Sequence, residues 1–157
     1  MQTSVPHIFA VGDCSEGKEL LSGNYMPICL WANAAYQGRT AAGYITGGED
    51  RLHGCLVHNI AHFMDTDFVG IGMPTLPGEL VEYHDNNNRL MIQAVVNDGI
   101  LQCMNIFGNY RISGAMKSWF ARQLAMPGAP MPENIRLNLL REGIPEEFIS
   151  MLGGNGR

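Results

Sequence analysis

Val5-Pro6-His7-Ile8-Phe9-Ala10-Val11-Gly12-Asp13-Cys14 joins a short apolar run to a Gly-Asp pair. Ile8 to Val11 form a continuous apolar run, the pattern of a strand covered on both faces of a parallel sheet. Pro6 precedes the run, where a missing N–H costs least. Gly12 lets the backbone approach a neighbour, and Asp13 presents a carboxylate at the carboxyl end of the strand. In open α/β sheets ligands bind at that edge. The expectation is a strand over residues 7–12 closed by a Gly-Asp turn. Taken alone, a Gly-Asp pair is also a common plain turn.

Downstream, Ser15 to Pro27 is punctuated by Gly, Ser, Asn and Pro and reads as a loop. A helix over residues 31–45 follows. Ala34, Gly38 and Ala42 recur at four-residue spacing and give it one smooth face of small side chains. The first turn at Leu30-Trp31-Ala32 offers unpaired N–H groups and a positive dipole end, as any helix start does. Thr46-Gly47-Gly48 ends the helix. The polar run Glu49-Asp50-Arg51 marks a domain boundary, dividing the chain into residues 1–50 and 51–157.

Thr3 to Cys14 closely resembles the second flavin-binding motif of the FAD-dependent pyridine-nucleotide oxidoreductases, and Ala34-Ala35-Tyr36-Gln37-Gly38-Arg39-Thr40-Ala41-Ala42 resembles the helix that follows it. Residues 56–124 resemble more weakly the C-terminal domain of the rubredoxin-reductase and NADH-nitrite-reductase branch. The resemblance implies an FAD site to which Gly12 and Asp13 contribute, with the Asp13 carboxylate accepting hydrogen bonds from the ribityl chain. It also implies that the backbone of Leu30, Trp31 and Ala32 faces the pyrimidine end of the flavin ring. The family uses FAD and NAD(P)H and hands electrons to a protein or small-molecule acceptor. No G-x-G-x-x-G opening a helix after a strand occurs here, so neither dinucleotide fingerprint of the family is present. The expectation is a C-terminal piece of a flavoprotein reductase, lacking the family's N-terminal FAD and NAD domains and catalytically incomplete alone. A non-catalytic dimerisation or partner-interaction module is the competing reading.

Composition bounds these readings. The 157 residues are 46% hydrophobic and 16% charged, which suits a folded chain with a sizeable core. A net charge of −5 gives no reason to expect nucleic acid. No apolar run approaches the roughly 18 residues of a membrane span, and no signal peptide is visible, so a cytoplasmic location is expected. Cys14, Cys29, Cys55 and Cys103 lack C-x-x-C spacing and read as free thiols, with Cys14 a small packed residue. The ten methionines read as core filler.

The overall fold class expected is α+β. Leu56 to Phe63 is ambiguous by pattern: Val57, Ile60, Ala61 and Met64 fit a helical stripe, but a strand is equally compatible. The family resemblance favours a strand, a turn near Asp65-Thr66-Asp67 and a second strand to Met73. Glu79–His84, Leu90–Val96 and Ile100–Phe107 read as an antiparallel meander, the last two strands joined by Asn97-Asp98-Gly99. A helix over residues 110–124 should bury Ile112, Ala115, Met116, Trp119, Phe120 and Leu124 on it. Short helices follow, one at Glu133–Arg141 and one with Pro145 in its first turn that buries Phe148, Met151 and Leu152. Residues 153–157 should fray. His58 and His62, four apart and followed by Asp65 and Asp67, have a spacing that two metal ligands on a helix can share. No Glu follows the first His, and a strand would set the pair two pleats apart, so no metal is assigned. Because a lone parallel strand would leave its edges unpaired, residues 1–50 are expected to contribute to a homo-oligomer interface.

Overall fold

In the computed structural model, residues 1–48 and 53–153 are described. The chain forms two compact units, residues 1–57 and 58–157. The expected boundary at Glu49-Asp50-Arg51 and most of the expected frayed tail lie outside the described residues. As a class the fold is α+β: an antiparallel five-stranded sheet and four helices, with a two-stranded ribbon.

The first unit departs most from expectation. Residues 7–12 do not form a parallel strand. Phe9 makes only an isolated antiparallel bridge to Gln2, with Thr3 N donating to Ile8 O (2.8 Å) and Ala10 N to Met1 O (3.1 Å). The chain turns back between them at His7, whose φ is +66°. The apolar run has the composition of a central strand, but no other described segment of this unit runs parallel beside it. Its backbone therefore pairs with the residues just before it, and Val5, Ile8 and Val11 stay exposed. The expected loop from Ser15 to Pro27 contains two short strands, β1 (Glu16–Lys18) and β2 (Tyr25–Pro27), paired antiparallel. Buried Glu19 orders the connection: its two carboxylate oxygens accept from Leu21 N (3.1 Å) and Ser22 N (2.7 Å). Helix α1 spans Trp31–Ile45 as expected. Its buried stripe is Asn33, Gln37 and Ala41, not the small residues Ala34, Gly38 and Ala42.

The second unit follows the sequence pattern closely. Strands β3 (His58–Phe63) and β4 (Thr66–Gly72) form a hairpin, which settles the ambiguous segment as strand. Strands β5 (Glu79–Asp85), β6 (Leu90–Asn97) and β7 (Ile100–Phe107) form the meander, and the sheet order is β3-β4-β7-β6-β5. Asp98 and Gly99 both take positive φ, +49° and +75°, as the tight two-residue hairpin turn requires. Register places Val69, Ile106 and Ile92 in one row and Ile71, Met104 and Ala94 in another. All six are buried.

Helix α2 (Ser113–Ala125) packs on β7 and buries Met116, Trp119, Phe120 and Gln123. Gln123 takes the fully buried place expected for Leu124, which is half-buried together with Ala115. Helix α3 (Glu133–Arg141) runs as expected, with Arg136 bridging Glu133 and Glu146. Helix α4 (Glu146–Met151) starts one residue after Pro145, which is its N-cap. It buries Phe148 and Ile149, Leu152 is buried just beyond it, and Met151 points outward. No helix of the described residues is long and apolar enough to cross a membrane.

Candidate functional site

The Gly12-Asp13 turn is held by the buried side of α1. Gln37 Oε1 accepts from Gly12 N (2.6 Å) and from Ser15 Oγ (3.1 Å). Ser15 N donates to Gly12 O at 3.0 Å, and the single Ser15 hydroxyl proton is shared between Gln37 Oε1 and Gly12 O, the latter at 2.9 Å. Gly12 has φ +83°, so a side chain here would be strained whatever the space around it. A Cβ at Gly12 would stand 3.6 Å from Ala34 Cβ, so the turn rests against the early part of α1. Gly17 is needed for a different reason: a Cβ there would come within 3.1 Å of Gln37 Nε2. One turn earlier on α1, Asn33 Nδ2 donates to Ile28 O (3.1 Å) and secures the approach to the helix.

The resulting surface has unspent polar groups. Asp13 is exposed, and its carboxylate has no partner among the described residues. Leu30 precedes α1 in an extended conformation; no side chain caps the helix and no acidic residue lies in its first turn. Trp31 is 88% exposed. Gln37 Nε2 is buried and has no hydrogen-bond partner. Thus Gly12 is brought beside α1, whose uncapped first turn at Trp31 and Ala32 is entered through the extended Leu30. Gln37 and Ser15, which the sequence reading did not single out, do the positioning. A signal for Gln37 was available: Asn33, Gln37 and Ala41 repeat every four residues, a stripe with two amides in it.

The histidine and aspartate candidates lie in the second unit. Both histidines lie on β3. His62 Nδ1 bonds Asp67 Oδ1, and its ring meets Tyr110 edge-on. His58 Nε2 stands 3.0 Å from Lys117 Nζ. Asp65 pairs with Arg89, and that hydrogen bond lowers the Asp65 pKa. Among the described residues no three His, Cys, Asp or Glu side chains are grouped to hold a metal. All four cysteines are free thiols. Cys14 is exposed rather than packed, its Sγ donating to Val11 O at 3.3 Å, because the turn displays it outward. Burial pushes the Cys103 thiol up.

Comparison with known proteins adds sequence and fold likeness to this geometry. No family model matches the chain. An NADH oxidase of Methanocaldococcus jannaschii is 26% identical over 129 residues, covering 72% of this chain and 29% of its own length. The reduced CoADR-RHD protein of Bacillus anthracis superposes with a TM-score of 0.65 at 25% identity, covering 79% of this chain and 26% of that one. An FAD-dependent pyridine nucleotide-disulphide oxidoreductase from Desulfovibrio vulgaris superposes with a TM-score of 0.67 at 20% identity, covering 81% and 34%. The chain thus spans less than a third of the curated relative it matches. In sequence and fold it corresponds to a C-terminal portion of the FAD-dependent pyridine nucleotide-disulphide oxidoreductases.

Proposed function

We propose that the first unit supplies one side of an FAD site, and the second a capping or interface domain, in an NAD(P)H oxidoreductase. On this reading the dinucleotide fingerprints come from polypeptide outside this sequence. The single observation that carries the proposal is the free Asp13 carboxylate, set on a positive-φ glycine that Gln37 holds against α1. A flavin held there would supply hydride and electron transfer with a reduced nicotinamide. The chain's own part is to bind and orient. Asp13 accepts hydrogen bonds from ribityl hydroxyls. The uncapped first turn of α1 presents N–H groups and a positive dipole end to the pyrimidine oxygens, which favours negative charge there. Gln37 fixes the distance between the two by anchoring the turn to the helix.

The test is a titration of this chain with FAD, followed by the visible absorbance of the flavin. Alone, the chain should not bind stoichiometrically. Joined to the N-terminal FAD and NAD domains of a relative, it should. Asp13→Ala in that joined protein should weaken binding by about 1.5–3 kcal/mol, the worth of a hydrogen bond to a charged group. Tight binding by the isolated chain, or an Asp13→Ala protein that holds FAD as firmly as its parent, sinks the proposal.

The competing reading, a self-associating module, draws support from α1. Trp31, Ala42 and Ile45 are exposed on one side of this helix, and nothing lies within 4 Å of a Cβ placed at Gly38. Residues 7–12 form no parallel strand with an open edge, but this apolar helix face is exposed. We propose that in the isolated chain it pairs with a second copy. Light scattering at high micromolar concentration should give a dimer, and Trp31→Glu a monomer. A monomeric parent chain removes the proposal.

A further inference from the structure

Two cavities adjoin Arg111 in the second unit, and they differ in charge. The larger, about 500 Å³, includes Arg111 and Arg141 but also Asp67 and Glu142. The smaller, about 320 Å³, lies between α2 and α3 and has no carboxylate in its lining. Gly114, Ala115 and Ser118 face it from α2, at positions i, i+1 and i+4. Asn134, Ile135 and Asn138 face it from α3 with the same spacing. Arg111, two residues before α2, completes the wall.

Arg111, Ser118 and Asn134 are exposed at the rim of this cavity, and Asn138 is half-buried. The Arg111 guanidinium, the Ser118 hydroxyl and the Asn134 amide have no hydrogen-bond partner among the described residues. Asn138 Oδ1 is buried and likewise unpartnered, one of two such side-chain atoms among the described residues. A buried polar atom left without a partner is costly, so Asn138 Oδ1 points to an occupant. Arg111, Ser118 and Asn134 offer N–H and O–H donors, one of them cationic. Asn138 Oδ1 offers the opposite: a buried acceptor that needs a donor.

We propose that this cavity binds a phosphate monoester. The class follows from the lining. Positive charge and several donors call for an oxyanion, for which a guanidinium is well shaped. The orphaned acceptor calls for an anion that also carries an O–H. A protonated phosphate oxygen, or a hydroxyl beside the phosphate, meets both needs. Sulfate at neutral pH has four acceptors and no donor, and meets only the first. The α2 first turn carries neither a side-chain cap nor an acidic residue, so nothing in it repels the anion. The site is independent of the flavin reading, since none of its residues belongs to the first unit.

Calorimetric titration of the full chain tests this at fixed ionic strength in a phosphate-free buffer. Inorganic phosphate should bind saturably at one site. Sulfate should bind about 2–10-fold more weakly, the loss of one neutral hydrogen bond. Arg111→Gln should weaken phosphate by about tenfold or more, the loss of a charge-assisted bond, and Arg141→Gln should leave it unchanged. Asn138→Ala should abolish the preference for phosphate over sulfate, with Ser118→Ala as a milder variant whose thermal unfolding confirms an intact fold. Glycerol phosphate should bind where inorganic phosphate does. Absence of saturable binding, equal affinity for sulfate, loss on Arg141→Gln in place of Arg111→Gln, or exclusion of glycerol phosphate would each overturn the proposal.

Discussion

Trp119→Ala should lower the unfolding free energy of the second unit by about 3–5 kcal/mol, the cost of removing a large aromatic from a packed core. Trp119 has no exposed surface, and its ring lies on the side of α2 that packs on β7. Its indole N–H is spent as well, donating to Leu152 O at 3.2 Å. The substitution therefore opens a cavity and also leaves a buried carbonyl short of a donor. Denaturant titration followed by circular dichroism gives the measurement. An unchanged midpoint would mean that α2 docks by another face. Trp119→Phe separates the two terms, because it keeps most of the packing and loses only the hydrogen bond, worth about 1 kcal/mol.

The meander was legible because its signals are local. Strict strand patterns, an Asp-Gly turn and a helical apolar stripe with Trp119 at its centre each depend on residues close in sequence. The β3–β4 hairpin was less so, since His58 to Phe63 mixes polar and apolar residues on an edge strand exposed at Ile60 and Phe63. The misread was the opening strand. Ile8 to Val11 has the composition of a buried parallel strand, but a strand exists only through its neighbours, and pairing is not written in one segment. The helix beside it is located to the residue, yet its smooth face of Ala34, Gly38 and Ala42 is not the side it buries. Small side chains suit close packing, but Asn33 and Gln37 are the ones that find partners in the turn and the preceding chain. For the candidate site, the identities of Gly12 and Asp13 came from the resemblance, and the means of holding them came from the structure. In the second unit, Arg111, Asn134 and Asn138 could not be gathered from sequence, because the cavity forms only when α2 and α3 pack.

Gln123→Leu should destabilise the second unit by about 1–3 kcal/mol, since it orphans the buried Leu101 N–H and takes the side-chain donor from the part-buried Gly99 carbonyl. Gln123 is 3% exposed in a stripe otherwise apolar. Its Oε1 accepts from Leu101 N at 3.2 Å, and its Nε2 donates to Gly99 O at 2.9 Å and more weakly to Leu152 O at 3.5 Å. One amide thereby ties the β6–β7 turn to α2 and to the end of α4. The fit is close: a Cβ at Gly153 would fall 1.9 Å from Gly99 O and 2.7 Å from Gln123 Nε2. Leucine matches the size of glutamine but neither accepts nor donates, so better burial only partly offsets the loss. Gln123→Glu gives the sharper test through its pH dependence. A protonated carboxyl can still donate to Gly99 O and accept from Leu101 N, whereas the carboxylate would be a buried charge facing a carbonyl. Burial should thus raise the folded-state pKa above the unfolded value of about 4.3. The stability retained by Gln123→Glu should be fully present below that unfolded value and be lost as pH rises through the folded one. Thermal unfolding across pH 4 to 8 should show the variant falling away from the parent chain as the solution becomes less acidic. A constant offset across that range would mean that residue 123 is solvated and that the amide bridge does not hold the turn.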